Sequence, residues 1–372
     1  MEALVLGTSN CVMRDGFLKY FREHARCGVT TRSIGGVLSS TGLYYFGEVR
    51  DQHHDYAIID YEINDHQAVN AGLTTTQRLE QNLCNLVTEI RLSGKKPILL
   101  ILPSLAHLEK PSSVELMQEA FCQKMQVPYF NVTAIFRAAM LLGATKEKLM
   151  RDSAHMSQSA AVVIGQALSE CITEMESVIS IESSMTVMCH KTHRILASSL
   201  VKPERVIERG SSLRTAQFAQ IFEGESLLIP IGENEVLSSI MINNGAKGCI
   251  ASFNNGNRTV SRQLIMYWDT NNPDVYNSMH VDFFDELEGS KNGIIMKLEP
   301  IDYLVTERLL HGRPPLPGRY GELQIEGFLV RSQKETPTLA PYRQYPELPL
   351  SLEKFPSQKN IITNIIESLK NS

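Results

Sequence analysis

Ser9 closes the stretch LVLGTSN (residues 4–10), and Asp152 and His155 lie three apart in RDSAHMSQSAA (residues 151–161). An alcohol, an imidazole and a carboxylate are the groups that nucleophilic acyl transfer requires. The carboxylate takes the Nδ1 proton of the imidazole, and Nε2 is left free as a base for an alcohol that is otherwise a weak nucleophile. Such a site must also offer preorganised donors to the oxyanion that develops. Gly36 in SIGGVLSS (33–40) could turn an N–H toward a ligand, and Asn64 in DYEINDHQ (60–67) carries a side-chain amide. Each of these residues also has a plainer reading. A serine after a strand or an aspartate before a helix is a cap, and a glycine or asparagine in a loop forms a turn. The catalytic reading requires all four stretches to meet at one edge of one fold.

The surrounding sequence supplies elements that could bring them there. Short runs at 3–7, 28–33, 56–61, 97–102 and 128–132 read as candidate strands, the first of them, with Leu4, Val5 and Leu6, as one buried on both faces, and helical patterns lie between them. The clearest helix covers 75–92, with Leu79, Leu83, Leu86, Val87 and Ile90 on one face, Gly94 as a stop signal and Pro97 opening the next strand. Alternation of this kind implies parallel strands joined by right-handed crossovers, with ligands bound beyond the carboxyl ends of the strands. Gly7 breaks the first strand just before Ser9, which puts the serine at that rim. Asn64 is read as ending the third strand.

Beyond about residue 180 the pattern changes to short alternating runs separated by turn signals, among them INNGAKG (242–248) and FNNGNRT (253–259), where Asn-Gly favours hairpins. The expected organisation is an α/β domain over 1–178, a β-sandwich or jelly-roll domain over 179–335, and a closing segment over 336–372. Four prolines between 337 and 349 predict an extended surface segment. A final helix, capped by Ser357, carries Ile361, Ile362, Ile365, Ile366 and Leu369 on one side, a stripe that a domain or another chain must cover, so a homo-oligomer is one expectation.

Gly-Thr-Ser, the glycine stretch, Asn64 in EIND and Asp152-x-x-His155 in DSAH follow one another in the order seen in the SGNH, or GDSL-type, hydrolases. Over about 175 residues the chain resembles that superfamily. The resemblance implies a flavodoxin-like sheet, Ser9 as nucleophile and oxyanion donor, Gly36 and Asn64 as further oxyanion donors, and Asp152 and His155 as the rest of a catalytic triad. The chain departs from the pattern at Thr8, where the family usually has aspartate, at Glu62, where it usually has glycine, and at Met156, where proline is common. Glu62 is expected to add negative charge beside the oxyanion site.

Composition narrows the partners. The chain has 372 residues, 43% of them hydrophobic, enough for two domains with their own cores. With 36 basic and 41 acidic residues and a net charge of −5, it has no electrostatic footprint for nucleic acid or an anionic membrane surface. The seven cysteines are odd in number, widely spaced and without a Cys-x-x-Cys pair, so neither disulfides nor a zinc site is indicated. No secretion signal or membrane-spanning run is present, and a cytoplasmic protein is expected.

His53, His54 and Asp55, like His190 and His193, are poorly placed as metal ligands because neighbouring side chains project in different directions. No metal or cofactor is expected. Tyr267, Trp268 and Asp269 could form a sugar-stacking platform in the β domain, or supply rings to its core. The leading reading is a serine esterase acting on an O-acyl, preferentially acetyl, ester of a small or carbohydrate substrate, with the β domain shaping access or binding glycan. An O-acetyltransferase would use the same residues with a sugar hydroxyl in place of water. A binding or assembly protein that has kept the fold without the activity is the third reading.

Overall fold

The computed structural model describes residues 1–25, 27–211, 214–243, 248–264, 276–307, 320–346, 348–355, 358 and 360–370. They form two compact units, Met1–Val187 with Pro337–Ser372, and Met188–Thr336.

The first unit is built on five parallel strands, β1 (Glu2–Gly7), β2 (Gly28–Ser33), β3 (Tyr56–Ile59), β4 (Lys96–Ile101) and β5 (Tyr129–Asn131), in the order β2-β1-β3-β4-β5. This is the flavodoxin-like order, in which the chain reverses direction across the sheet between β1 and β3 and opens a crevice there. Apolar runs make β1, β3 and β4 buried almost throughout, whereas β2, with its two threonines and an arginine, is a half-exposed edge. The helices are α1 (Ser9–Val12), α2 (Phe17–Ala25), α3 (Ser40–Val49), α4 (Glu62–Asn70), α5 (Thr76–Leu92), α6 (Ser113–Met125), α7 (Val132–Leu141), α8 (Lys146–Leu149) and α9 (Gln158–Ser177).

α5 starts on Thr75, whose hydroxyl accepts from the Arg78 N–H at 3.2 Å. It buries Leu79, Leu83, Leu86, Val87 and Ile90, and the chain turns away at Gly94 with φ +82°. β3 stops two residues short of the run read from the sequence. Tyr61 begins a helix, with the Asp65 N–H donating to its carbonyl at 3.0 Å, and Asp65 in the first turn favours the positive end of that helix. Asn64 therefore sits in the first turn of α4 and not at the end of a strand.

Pro337–Ser372 belongs to the first unit. β17 (Thr336–Gln344) pairs with β6 (Ile181–Cys189). Further on, the Tyr129 N–H at the free edge of β5 donates to the Leu350 carbonyl at 2.8 Å. The proline-rich stretch is thus extended as expected, but much of it is paired. α10 (Ile361–Lys370) lays Ile361, Ile365 and Leu369 into the core shared with α7 and α9. Its apolar stripe is covered within the same unit, which removes the reason for expecting a second chain on it. Ser357 lies outside the described residues.

The second unit consists of antiparallel sheets. One has the order β10 (Ser226–Ile229), β15 (Ile294–Glu299), β12 (Cys249–Asn254), β13 (Thr259–Leu264). The other has the order β14 (Ser278–Glu288), β11 (Glu235–Asn243), β16 (Glu322–Ser332), β9 (Thr215–Phe222), β8 (Val206–Gly210), with β7 (Thr192–Leu196) also pairing β16. Phe253 of the first sheet meets Phe283 of the second edge to face at 4.7 Å. FNNGNRT makes the β12–β13 hairpin, with Gly256 at φ +93°. Most of the other Asn-Gly turn, at 244–247, and Tyr267, Trp268 and Asp269 lie outside the described residues.

Candidate active site

Gly7 ends β1 because nothing larger fits there. A Cβ on it would stand 2.6 Å from Cys11 Sγ and 3.2 Å from Asp60 Cβ, so the chain can pack α1 tightly against the end of β3. Thr8 precedes α1 in extended conformation, and Ser9 is the first helical residue, partly accessible at the strand-to-helix turn.

The Asp-Ser-Ala-His stretch arrives from far along the chain as a loop closed on itself. The Met150–Met156 bridge pins its two ends. The Arg151 N–H donates to the His155 carbonyl at 2.8 Å, and the Ser157 hydroxyl caps α9 by accepting from the Ala160 N–H. Inside the loop the Asp152 carboxylate accepts from the Ala154 and His155 N–H groups at 2.9 Å each. Partial burial works against its ionisation, but these hydrogen bonds and the imidazole beside it hold the Asp152 carboxyl below its usual value.

His155 Nδ1 lies 2.8 and 2.9 Å from the two Asp152 oxygens, and its Nε2 lies 2.8 Å from Ser9 Oγ, 146 positions away in the chain. With Nδ1–H donating to Asp152, Nε2 is the acceptor for the serine hydroxyl. Alcohol, imidazole and carboxylate stand in a hydrogen-bonded line within the first unit.

Two further groups hold this line and were not anticipated from the sequence. Asn10, 3% exposed, donates from Nδ2 to the Ala154 carbonyl at 3.0 Å and ties the serine turn to the histidine loop. Asp60, fully buried after β3, accepts from Thr8 Oγ1 at 3.2 Å and from Cys11 Sγ at 3.3 Å. Burial pushes the Asp60 carboxyl up to about 6 and the Cys11 thiol well above its usual value, so the cysteine beside Ser9 stays a protonated donor and no rival nucleophile. Thr8 thus contributes a hydroxyl donor to Asp60 beside the serine turn.

Gly36 takes φ +74° in the turn after β2, a conformation that only glycine adopts without strain. Its neighbour Gly35 backs directly on Ser9, where an added Cβ would lie 3.5 Å from the serine Cβ. The same loop is anchored by the Ser39 N–H, which donates to Asp65 at 2.9 Å. Asn64, one residue earlier on α4, is 7% exposed. Its Nδ2 is buried and has no hydrogen-bond partner among the described residues. A buried donor left unpaired costs roughly 1–3 kcal/mol unless something else accepts from it.

Glu62 does not behave as its sequence position suggests. It is 1% exposed, and its Oε1 accepts from Ser112 Oγ at 2.8 Å. Burial pushes its carboxyl up to about 8, so without a counter-ion it is largely neutral at pH 7 and adds little charge beside Asn64. Glu62 also belongs with His66 and His107 to a cluster in which one ligand atom from each residue lies within 4.8 Å of those of the other two. Burial lowers both imidazoles, His107 to about 4 with help from His66 and Arg137. The histidine groups singled out in the sequence do not assemble in this way. His53 is exposed and 3.9 Å from Asp55, while His190 accepts from Arg331 at Nε2 and faces Glu335 at 3.8 Å.

No protein-family model matches the sequence, and no curated protein is detectably similar to it. Among solved structures, the chain is similar to a two-domain esterase active on acetylated mannans, at 12% identity and a TM-score of 0.55, over 90% of this chain and 93% of that one. An acetyl xylan esterase, AlAXEase, is matched at 14% identity and a TM-score of 0.39, over 48% of this chain and all of the other. The psychrotrophic esterase EstA from Pseudoalteromonas is matched at 14% identity and a TM-score of 0.39, over 47% and 98%. The first likeness shows the fold, a flavodoxin-like α/β unit and an antiparallel β unit in one chain.

Proposed function

We propose that the protein is a serine esterase of the SGNH type, acting through an acyl-enzyme on an O-acetyl ester of a carbohydrate or small alcohol. The observation that carries this reading is the line from Ser9 Oγ through His155 to Asp152, with contacts of 2.8 to 2.9 Å. His155 Nε2 takes the hydroxyl proton as Ser9 Oγ attacks the ester carbonyl, and Asp152 steadies the imidazolium that forms. The Ser9 and Gly36 N–H groups and the unpartnered Asn64 amide are the proposed donors to the oxyanion. The protonated imidazole then gives its proton to the departing alcohol, and water, activated by the same base, releases the acyl group.

The choice of an acetylated carbohydrate rests on the structural likeness to the mannan-active two-domain esterase and is the more specific part of the proposal. The reducing interior of the cell is the proposed compartment, in keeping with seven free thiols.

Acetate release from acetylated mannan and xylan oligosaccharides, and from an activated acetyl ester, tests the reading. The wild type is expected to turn over, and Ser9→Ala to lose about four orders of magnitude or more in kcat. Turnover that survives in Ser9→Ala would overturn the assignment. Accumulation of an acetylated sugar in place of free acetate, when sugar acceptors are supplied, would make the enzyme a transferase.

A further inference from the structure

Glu62 and His66 stand four apart on α4, one turn of helix, so their side chains project from the same face. His107 reaches them from the short turn Leu105–His107 that follows β4, with its ring edge to face against that of His66 at 3.7 Å between centroids. Each of the three has one polar atom engaged and one left over. Glu62 Oε1 accepts from Ser112 Oγ at 2.8 Å, His107 Nδ1 lies 2.9 Å from Ser104 Oγ, and His66 Nε2 lies 2.5 Å from Asn70 Nδ2. Glu62 Oε2, His107 Nε2 and His66 Nδ1 are buried without a partner among the described residues. Glu62 and His107 are 1% and 6% exposed, too enclosed for bulk water to satisfy them. Three orphaned polar atoms on three converging side chains need a common explanation, because each alone costs free energy to bury.

We infer that Glu62, His66 and His107 bind one divalent first-row transition-metal ion, with zinc the best match. Two imidazole nitrogens and one carboxylate oxygen are a donor set that suits zinc and its neighbours and disfavours magnesium or calcium, which take oxygen ligands. The engaged atoms then act as outer-sphere orienting bonds. With Nδ1–H of His107 donating to Ser104 Oγ, its Nε2 lone pair is left for the ion; Asn70 Nδ2 stands against His66 Nε2, and turning that amide end for end lets Nε2–H donate to the amide oxygen and leaves the His66 Nδ1 lone pair for the ion as well. Zinc–ligand distances of about 2.0–2.2 Å ask the three groups to close by about an ångström, within side-chain reach. The ion supplies the counter-charge that a carboxylate buried at Glu62 lacks. It would fasten α4, which carries Asn64 in its first turn, to the connection between β4 and α6. The inference stands on this cluster and is independent of the serine chemistry.

The test uses the full chain, freed of metal with a chelator and titrated with zinc chloride by calorimetry, with bound metal counted by mass spectrometry. One zinc per chain is expected, undisturbed by excess magnesium or calcium. Affinity should fall about 100-fold in His66→Ala and in His107→Ala. Cobalt(II) loaded in place of zinc should give a d–d spectrum without a thiolate charge-transfer band, which reads the ligand set in the wild type even where a variant does not fold. Failure of the wild type to take up stoichiometric zinc, a thiolate band, or undiminished affinity in both variants would overturn the site.

Discussion

Ser9, Asp152 and His155 owe their alignment to neighbours that do no chemistry themselves. The Asn10 side chain spans from the serine turn to the Ala154 carbonyl, so the base and the nucleophile share one rigid connection. Misplacement of a reacting group by about 1 Å can cost about a hundredfold in rate. Asn10→Ala is therefore expected to lower kcat on an acetyl ester by roughly ten- to a hundredfold while KM changes little. Steady-state kinetics checks this, and an unchanged kcat would remove Asn10 from the positioning role. The serine, the histidine and its aspartate are readable from residue type and spacing because each stands in a short motif with its own chemistry. Asn10 and Asp60 are not, because their partners are a backbone carbonyl and two small donors that only the folded chain brings near. Glu62 and His66 share the spacing of paired helical ligands, yet their third member comes from a different element and leaves no local signal.

At the scale of elements, the strand readings located all five strands of the parallel sheet to within two residues; β1, β3 and β4, buried on both faces, carry an uninterrupted hydrophobic signature, whereas the edge strand β2 does not. Where β3 gives way to α4 the periodicity is silent. The switch depends on Tyr61 and on Asp65 at a helix start, which is why Asn64 read as a strand end. The pairing of the proline-rich tail with β6 and of Leu350 with β5 is likewise a tertiary matter.

The packing of α2 on α9 has a sharper local cause. A Cβ at Gly165 would stand 2.4 Å from the Phe17 carbonyl oxygen and 2.7 Å from the Phe21 nitrogen, both backbone atoms that cannot swing aside. Alanine would gain roughly 0.5–1 kcal/mol of helix propensity but lose more by forcing the helices apart, where overpacking costs about 1–3 kcal/mol. Gly165→Ala is thus expected to lower the thermal midpoint of the first unit, as read by calorimetry. An unchanged or raised midpoint would contradict the close approach.

Taken as a whole molecule, the chain leaves its α/β unit along β6, builds a separate β unit, and returns along β17 to finish the first core with α10. Every residue proposed for the ester chemistry lies in the first unit, and all of them come from the loops and helix starts that follow β1, β2 and β3 or from the loop before α9. Sheet order explains the grouping, because the crevice between β1 and β3 is where those connections converge. The account therefore expects one serine of the entire chain to be set apart from the rest in reactivity. The direct measurement is to treat the full-length protein with a fluorophosphonate, weigh the intact product and map the modified peptide. One phosphonyl group per chain on the peptide containing Ser9, absent in Ser9→Ala, is the predicted result. A label on another serine, or one that persists in Ser9→Ala, would contradict it.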